Sequence, residues 1–476
     1  MLFNTFEFAI FFTIVFGLYL MLNHKMQNWM LLVASYFFYG WADVRFLSLL
    51  LLSTVIDYVC GIKIEDAQDP KIRRRYLIGS VVSNLFLLGC FKYFNFFIDN
   101  MQYLLQWFGL SVHPLALRIA LPVGISFYTF QTMSYTIDVY RGDIRATRHF
   151  PDFALFVSFF PQLVAGPIER AQHLLPQVLT PRQVTVAKIK EGVFLLLWGL
   201  FEKVFVADNL AAIVDITFGS TAPYSGMSVL ISLYAFAFQI YCDFDGYSNM
   251  ARGLGRCMGF DIMFNFNLPY LATNPVEFWQ RWHISLSTWL RDYLYIPLGG
   301  NRQGRWKTYR NVAITMLLGG LWHGAAWTFV LWGAYQGVLI IGYRMLQPIL
   351  NRISLPQGRG VNEAWFSLRV IFFFHLVCLG WLIFRAPSLH QAIAMAQSLF
   401  GNFHLTNTIA SSFLWWKFLS AVWLLLLIQY LQFRANDLQI MSKWPAPLRW
   451  SLYSLLFQFI AVFGAPAGGQ FIYYRF

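Results

Sequence analysis

Long apolar stretches separated by short polar segments recur along the whole 476-residue chain. A bilayer core takes about 20 apolar residues per helix, so this pattern predicts membrane-spanning helices. Some stretches are too short or too interrupted to cross alone, so we expect an all-α polytopic membrane protein with about 10 to 12 spanning helices plus re-entrant and interfacial pieces. The apolar stretches are 8–22, 29–42, 46–61, 76–98, 119–139, 153–168, 193–207, 226–243, 311–319, 322–343, 365–384, 413–432 and 450–464.

Composition agrees with this pattern. Hydrophobic residues make up 58% and charged residues 12% of the chain, whereas soluble proteins carry about 25% charged residues. No linker or shift in composition divides the sequence, so residues 1–476 are predicted to form a single membrane-embedded domain. The stretch 8–22 has no basic segment before it and no small-residue cleavage site after it, so we expect a first spanning helix rather than a cleaved signal.

The formal net charge of +13 lies mostly in short loops. Loops rich in lysine and arginine stay on the cytoplasmic side of a membrane, so the clusters at 63–75, 141–148, 302–310 and 344–359 are predicted to be cytoplasmic. Segment 208–223 has two aspartates and no lysine or arginine, so it is predicted to lie outside. The positive charge therefore indicates topology and contact with anionic membrane lipids before it indicates nucleic acid. The alternative is an acidic ligand at the membrane surface, such as a nucleotide-bearing cofactor.

The cysteines and histidines give no metal or disulfide signal. Neither a CxxC spacing nor an HExxH pattern occurs among the five cysteines and nine histidines. We therefore expect no disulfide framework and no metal site. The cysteines are Cys60, Cys90, Cys242, Cys257 and Cys378.

One histidine, His323, lies inside an uncharged run over 311–343. The glycine pair at 319–320 predicts a break there, which would place His323 just after a bend and inside the protein. A polar residue in a membrane interior costs free energy, so such a histidine is a functional hypothesis. Trp322 and Trp327 beside it are predicted to line the same cavity. The alternative is a structural hydrogen bond to a neighbouring helix.

A second histidine lies in the polar region 265–302. Asn274 is suited to cap a helix that begins at the following proline. On a helical wheel, His283 lies at the edge of an apolar face near Ser287, and Asp292 lies on the polar face. We expect this helix at a water boundary or along a wet cavity lined by Asn274, Ser287 and Asp292. The alternative is an interfacial histidine with ordinary hydrogen bonds.

Two further segments interrupt the apolar pattern. The prolines of 151–170 predict a broken or re-entrant element that is covered by other helices. Asp243 and Asp245 end the apolar stretch that begins at 226. Paired acids can transfer protons or bind a cation, but a helix-end cap for the segment from Tyr247 is the simpler interpretation.

Several motifs carry a resemblance to a known family. They are the region 265–302, the sequence Gly-Leu-Trp-His-Gly-Ala-Ala-Trp at 320–327, and shorter motifs at 32–36, 165–169, 243–248 and 471–474. Together they resemble the membrane-bound O-acyltransferase family over nearly the whole chain. Within that family the chain is similar to the bacterial branch that O-acetylates exported polysaccharides, and also to the D-alanine exporters of teichoic-acid modification.

The resemblance implies that His323 is the catalytic residue and His283 its upstream partner. It implies transfer of an acetyl group from a cytoplasmic thioester, with acetyl-CoA as the expected donor substrate and no bound cofactor. Histidine titrates near neutral pH, which suits a general base in such a transfer. The basic residues expected to hold the phosphates of the donor are Arg302, Arg305, Lys307 and Arg310.

The same resemblance implies a location and a partner. The chain is expected in the bacterial inner membrane, with a funnel from each side meeting at His323. In the family, the outer acceptor is often the serine of a separate periplasmic SGNH-type protein, which then acetylates the polymer. The chain has no soluble segment large enough for that task, so we expect such a partner.

Other functions stay open at this point. The acceptor is alternatively a teichoic acid, a lipid or a protein. Buried histidines and acids also serve proton relays, so a proton-coupled transporter is a second alternative. A third is a non-catalytic scaffold of a polymer-export complex, in which the histidines matter only for folding.

Overall fold

The computed structural model describes residues 1–110, 121–164, 166–221, 223–350, 352, 359–402 and 408–465. These residues form helices joined by loops, and no β-strand occurs among them, which confirms the predicted all-α class. Two parts of the family resemblance, Ala165 and the segment 471–474, lie outside the described residues.

Seven of the described helices are long and apolar enough to cross a membrane. A further helix, Phe6–Met21, is apolar but shorter. The protein is thus a polytopic membrane protein, and the larger number of crossings expected from the sequence stays a prediction. The seven candidate spans are Val44–Asp66, Pro70–Trp107, Gly226–Cys257, Trp327–Leu350, Gly360–Arg385, Phe413–Ala435 and Ala446–Phe463.

Polar N-caps begin several of the helices. The side chains of Thr5, Asn23, Asp43, Asp69 and Ser388 each accept a backbone N–H in the first turn, which satisfies a donor that has no partner within the helix. Labelled in chain order, the α-helices of the described residues are α1 (Phe6–Met21), α2 (His24–Gly40), α3 (Val44–Asp66), α4 (Pro70–Leu88), α5 (Phe94–Trp107), α6 (Ile125–Arg141), α7 (Phe150–Ser158), α8 (Phe160–Leu163), α9 (Ala171–Leu179), α10 (Val186–Leu200), α11 (Asp208–Phe218), α12 (Gly226–Cys257), α13 (Pro275–Arg281), α14 (Ile284–Leu290), α15 (Arg305–His323), α16 (Trp327–Leu350), α17 (Arg359–Arg385), α18 (Leu389–Gly401), α19 (Thr408–Ala435) and α20 (Ala446–Phe463).

The chain divides into two compact units, and the division passes through α10 and α12. The first unit comprises Met1–Leu196 and Met250–Met263, and the second comprises Leu197–Asn249 and Phe264–Phe476. The single domain expected from the sequence stays a prediction.

In the first unit, α3 packs against α2, α4, α6 and α7. The broken element predicted over 151–170 is confirmed, because α7 ends at Ser158 and α8 begins at Phe160. The backbone N–H of Phe160 donates to the Ser35 hydroxyl at 3.1 Å. Ser35, Ser158 and Phe160 are all fully buried. The break is therefore covered by protein, as irregular backbone in a membrane requires.

The second unit contains both histidines. In it α15 packs along α16, and α16 in turn contacts α13 and α17. Short π-helical turns at Phe201–Ala207 and Arg291–Tyr295 interrupt the regular helices of this unit.

The interpretation of Asp243 and Asp245 as a helix-end cap is wrong. Helix α12 continues to Cys257, so both acids lie inside it. Asp243 accepts a hydrogen bond from Lys203 Nζ at 2.6 Å, and Asp208 accepts another at 2.8 Å, with the lysine side chain fully buried. In the apolar window of α12, 78% of the residues are buried, against 11% to 39% in the other six candidate spans. Protein rather than lipid therefore surrounds these charges.

Candidate active site

A break in the helix places His283. Helix α13 begins at Pro275 as predicted, and Asn274 Oδ1 accepts the N–H of Glu277 at 2.9 Å. The continuous helix predicted beyond it is wrong, because α13 ends at Arg281 and α14 begins at Ile284. His283 lies between them with a φ of 42°, a left-handed conformation that costs free energy in a residue other than glycine. Its side chain is fully buried instead of lying at the edge of an apolar face.

Main-chain pairing explains the break. The N–H of Asn267 donates to Arg281 O at 2.9 Å, and the N–H of Ile284 donates to Asn265 O at 2.8 Å. These bonds take the place of helical ones on both sides of His283, so Arg281 O and the N–H of Ile284 keep hydrogen-bond partners where the backbone turns.

The predicted break at 319–320 is also wrong. Helix α15 runs through both glycines and ends at His323, so the turn comes after the histidine, at Gly324–Ala326. The glycines serve packing instead. A methyl group added at Gly320 would overlap the carbonyl oxygen of Phe329 and lie 3.0 Å from Gly333 Cα. Small residues at this contact let α15 and α16 approach closely.

The two imidazoles share one aromatic cluster. Their ring centroids are 6.4 Å apart, and His323 is only 3% exposed. Trp322 contacts both rings, with its centroid 5.9 Å from His283 and 5.0 Å from His323. The cluster therefore joins residues that are distant in sequence. Further neighbours are Trp332 at 5.1 Å and Phe384 at 5.5 Å from His323, and Phe244 at 4.6 Å from His283.

The surroundings of His283 determine the protonation of its imidazole. Its Nδ1 lies 3.3 Å from Asn265 Oδ1. His283 lies outside the seven candidate spans, and burial lowers its pKa to about 3 because the charged form loses its hydration. The imidazole is therefore neutral near pH 7.

A cavity of about 990 Å³ lies beside α13, α15 and α16. Asn274, Arg305 and Arg344 are among the residues that line it. Glu277 also lines it, but its carboxylate pairs with Arg281 at 3.0 Å. The two arginines therefore make this cavity suitable for an anionic ligand.

Helix α13 connects the cavity with the aromatic cluster. Trp279 of α13 has its ring centroid 5.9 Å from that of Trp332, which in turn contacts His323. Of the four basic residues singled out from the sequence, Arg305 lines the cavity. The other three are exposed, as Arg305 is, and Arg310 donates to Asn311 Oδ1 at 3.0 Å. The three are Arg302, Lys307 and Arg310.

Three other residues singled out from the sequence have different positions. Trp327 is 59% exposed at the start of α16, and its role in lining the site stays a prediction. The Ser287 hydroxyl donates to the carbonyl of Trp282 at 3.0 Å, so it holds the helix break. Asp292 forms an ion pair with Arg291 at 2.7 Å.

Sequence reasoning missed Asn265, Trp332 and Phe384. Asn265 is a polar residue between two phenylalanines, and that isolated polarity was the one available signal. Trp332 and Phe384 lie in ordinary apolar stretches, so only the packing of α16 and α17 brings them to His323.

The fold and these two imidazoles define a class, that of polytopic helical membrane proteins with a buried histidine pair. The model of the membrane-bound O-acyltransferase family matches residues 143–384. The chain belongs to this family, and it is an acyltransferase with a multi-pass location in the bacterial inner membrane.

Several relatives resemble the chain over much of its length. The "Probable alginate O-acetylase" of Pseudomonas aeruginosa is 46% identical over 401 residues, which cover 83% of this chain and 74% of that protein. The peptidoglycan O-acetyltransferase of Helicobacter pylori is 36% identical over 397 residues, 78% of this chain and 73% of that protein. The teichoic acid D-alanyltransferase of Bacillus subtilis is 26% identical over 279 residues, 56% of this chain and 70% of that protein.

Proposed function

We propose that the protein passes an acetyl group from a cytoplasmic thioester, acetyl-CoA, across the inner membrane for O-acetylation of an exported or cell-surface polysaccharide. The observation that carries this proposal is the buried pair His283 and His323, 6.4 Å apart, within the region 143–384 that matches the family. The 46% identity to an alginate O-acetylase favours an acetyl group and a polysaccharide over D-alanine and teichoic acid, for which the identity is 26%.

The proposed chemistry uses His323 as the general base. His323 takes the proton of the acceptor hydroxyl while the hydroxyl oxygen forms a bond to the thioester carbonyl carbon. The tetrahedral intermediate then breaks its C–S bond, and the imidazolium returns the proton to the departing thiolate. An ester and a free thiol result. His283 either donates a hydrogen bond to the carbonyl or accepts one that orients the base. The surrounding rings keep water away, which protects the thioester from hydrolysis.

The basic cavity supports an anionic donor. Acetyl-CoA carries phosphate groups, and arginine binds phosphate through paired hydrogen bonds. Arg305 and Arg344 line the cavity, and α13 leads from it to the cluster around His323. We propose that the phosphates of the donor bind here, with Arg302, Lys307 and Arg310 at its edge.

The acceptor side involves a partner in this proposal. The acetyl group passes first to a serine hydroxyl of a periplasmic SGNH-type protein, and from that serine ester to a hydroxyl of the polymer. Two relatives named for O-acetylation of alginate and of peptidoglycan support a polysaccharide as the final acceptor.

Replacement of His323 by glutamine tests the function. His323→Gln removes the base but keeps a polar side chain, so we expect acetyl transfer to fall by about 100-fold or more. The measurement is the acetyl content of surface glycans by mass spectrometry in a deletion strain that carries each variant. Release of CoA from acetyl-CoA by the purified protein is the second readout, and we expect the same loss.

His375 provides a matched control in α17. Its two ring nitrogens lie 2.7 Å from Ile371 O and 2.7 Å from the Tyr234 hydroxyl, so it is an intramembrane histidine with a structural environment. We expect His375→Gln to acetylate near the wild-type level. Full acetylation by His323→Gln, at equal protein level in the membrane, would contradict the proposal.

A further inference from the structure

We propose that Asn265 is a positioning residue that holds His283 as its Nδ1–H tautomer, so that Nε2 carries the lone pair. The inference rests on the proposed function for its catalytic meaning. The tautomer itself follows from the hydrogen bonds of four fully or almost fully buried residues, Ser248, Asn265, His283 and Ser285.

The hydrogen-bond partners of the Asn265 side chain fix the orientation of its amide. The backbone N–H of Ser285 donates to the side-chain atom assigned as Oδ1, at 3.2 Å, and the Ser285 hydroxyl is 2.8 Å from the same atom. A backbone N–H can only donate, so this atom must be the oxygen. The amide nitrogen then faces Ser248 and donates to its hydroxyl at 3.3 Å.

The orientation of the Asn265 amide fixes the tautomer of His283. His283 Nδ1 lies 3.3 Å from Asn265 Oδ1. A carbonyl-type oxygen only accepts, so Nδ1 must be the donor in this contact. A neutral imidazole carries one N–H, and the burial of His283 disfavours a second proton. The proton is therefore on Nδ1, and Nε2 is the basic nitrogen.

Asn265 also binds the backbone next to His283. The carbonyl oxygen of Asn265 accepts the N–H of Ile284 at 2.8 Å, directly after the left-handed residue His283. Asn265 thus binds both the ring of His283 and the main chain that follows it. Such strained conformations persist where the surroundings hold them, and they cluster at functional sites.

The tautomer decides between the two roles proposed for His283. A group that binds the thioester carbonyl must donate a hydrogen bond, whereas Nε2 with a lone pair accepts one. Two imidazoles in direct hydrogen-bond contact have centroids about 5 Å apart. At 6.4 Å, the rings of His283 and His323 are too far apart for a direct hydrogen bond between them. Of the two roles, the tautomer therefore favours the one in which His283 accepts a hydrogen bond, while His323 takes the proton of the acceptor.

Nitrogen-15 spectroscopy tests the tautomer directly. The full-length protein is labelled at its histidines and measured in lipid bilayers near pH 7, and the signals of His283 are identified by their loss in His283→Gln. We expect a protonated, pyrrole-type signal for Nδ1 and an unprotonated, pyridine-type signal for Nε2. The opposite assignment would overturn the inference. This spectrum does not depend on acetyl transfer, so failure of the inference and failure of the proposed function are distinguishable.

Two variants of Asn265 test the positioning role by activity. Asn265→Leu removes the acceptor, so we expect transfer to fall by about 100-fold or more at equal protein level. Asn265→Asp keeps an oxygen acceptor, and the Ser248 hydroxyl can turn to donate to it. We expect this variant to stay within about tenfold of the wild type. Its carboxylate stabilises the imidazolium and raises the pKa of His283, so the acidic limb of the pH–rate profile should move to higher pH.

Asn267→Leu is the matched control. Asn267 lies two residues away, is half-buried and pairs with Arg281 through its main chain. We expect it to keep the activity and the pH profile of the wild type. Equal activity of Asn265→Leu and Asn267→Leu would overturn the positioning role, as would an unshifted pH profile of Asn265→Asp.

Discussion

His323 and His283 reach the same aromatic cluster in different ways. His323 ends the regular helix α15, and its position follows from the close packing of α15 on α16 at Gly320 and Gly333. His283 lies in a break between two short helices, and its position follows from hydrogen bonds with Asn265. Packing of long helices holds one imidazole, and directional bonds within a loop hold the other.

This difference determines which substitutions disturb each histidine. Packing consists of many weak contacts, so a change of volume is needed to move His323. Hydrogen bonds are few and depend strongly on angle, so a change of one atom can reorient His283. The following variants test that contrast, beginning with the largest expected effect.

The buried ion pairs of Lys203 stabilise the part of α12 that packs on His283. Asp243 precedes Phe244, which packs on His283, and α12 also carries Ser248. Lys203→Met leaves Asp208 and Asp243 without their cation in a buried site, so we expect unfolding to become easier by about 3–5 kcal/mol. Thermal unfolding of the detergent-solubilised protein measures this.

Lys443 provides the control for this loss. It pairs with Asp437 at the same distance of 2.6 Å, but its side chain is 65% exposed. We expect Lys443→Met to change stability by about 0–1 kcal/mol, since water screens the pair. Equal effects of the two variants would mean that burial does not strengthen the Lys203 contacts.

A larger residue at Gly320 tests the close packing of α15 on α16 that positions His323. Gly320→Val pushes α15 away from Phe329 O and Gly333, so we expect a loss of about 1–3 kcal/mol together with lower activity, because His323 follows in the same turn. Gly342→Val is the control in α16, since a Cβ there meets nothing within 4 Å. Both sites are helical, so the change in helix propensity is shared. Matching melting temperatures for the two variants would refute the close-packing role.

The smallest effect is expected at Ser287. Its hydroxyl bonds to the Trp282 carbonyl at 3.0 Å beside the helix break. We expect Ser287→Ala to cost about 0.5–1.5 kcal/mol of stability and to leave acetyl transfer unchanged. A large loss of transfer in a protein of normal stability would instead indicate the cavity-lining role predicted from the sequence.

The same contrast explains what the sequence could predict. Long helices follow from apolar length, so the stretches 365–384 and 450–464 correspond to Arg359–Arg385 and Ala446–Phe463. The glycines near His323 are ambiguous in the sequence because a helix break and a close helix contact both favour glycine. Sequence alone does not distinguish the two uses.

The break at His283 does not follow from the sequence, for another reason. A helical wheel treats a segment as isolated, but here the main chain of Asn265 and Asn267 takes the hydrogen bonds that would continue the helix. Likewise, Asp243 ended a predicted apolar stretch because hydropathy scores a carboxylate as polar even when a lysine from an earlier segment neutralises it.

That buried lysine also bears on how the chain enters the bilayer. An aspartate near the centre of a membrane helix costs about 2.5–3.5 kcal/mol on insertion. Asp243 lies inside the candidate span Gly226–Cys257, and Lys203 lies 40 residues earlier. A helix that depends on an upstream cation is favoured to leave the translocation channel together with the segment that supplies it. The two segments should thus partition into lipid as one unit during synthesis, with their opposite charges already joined.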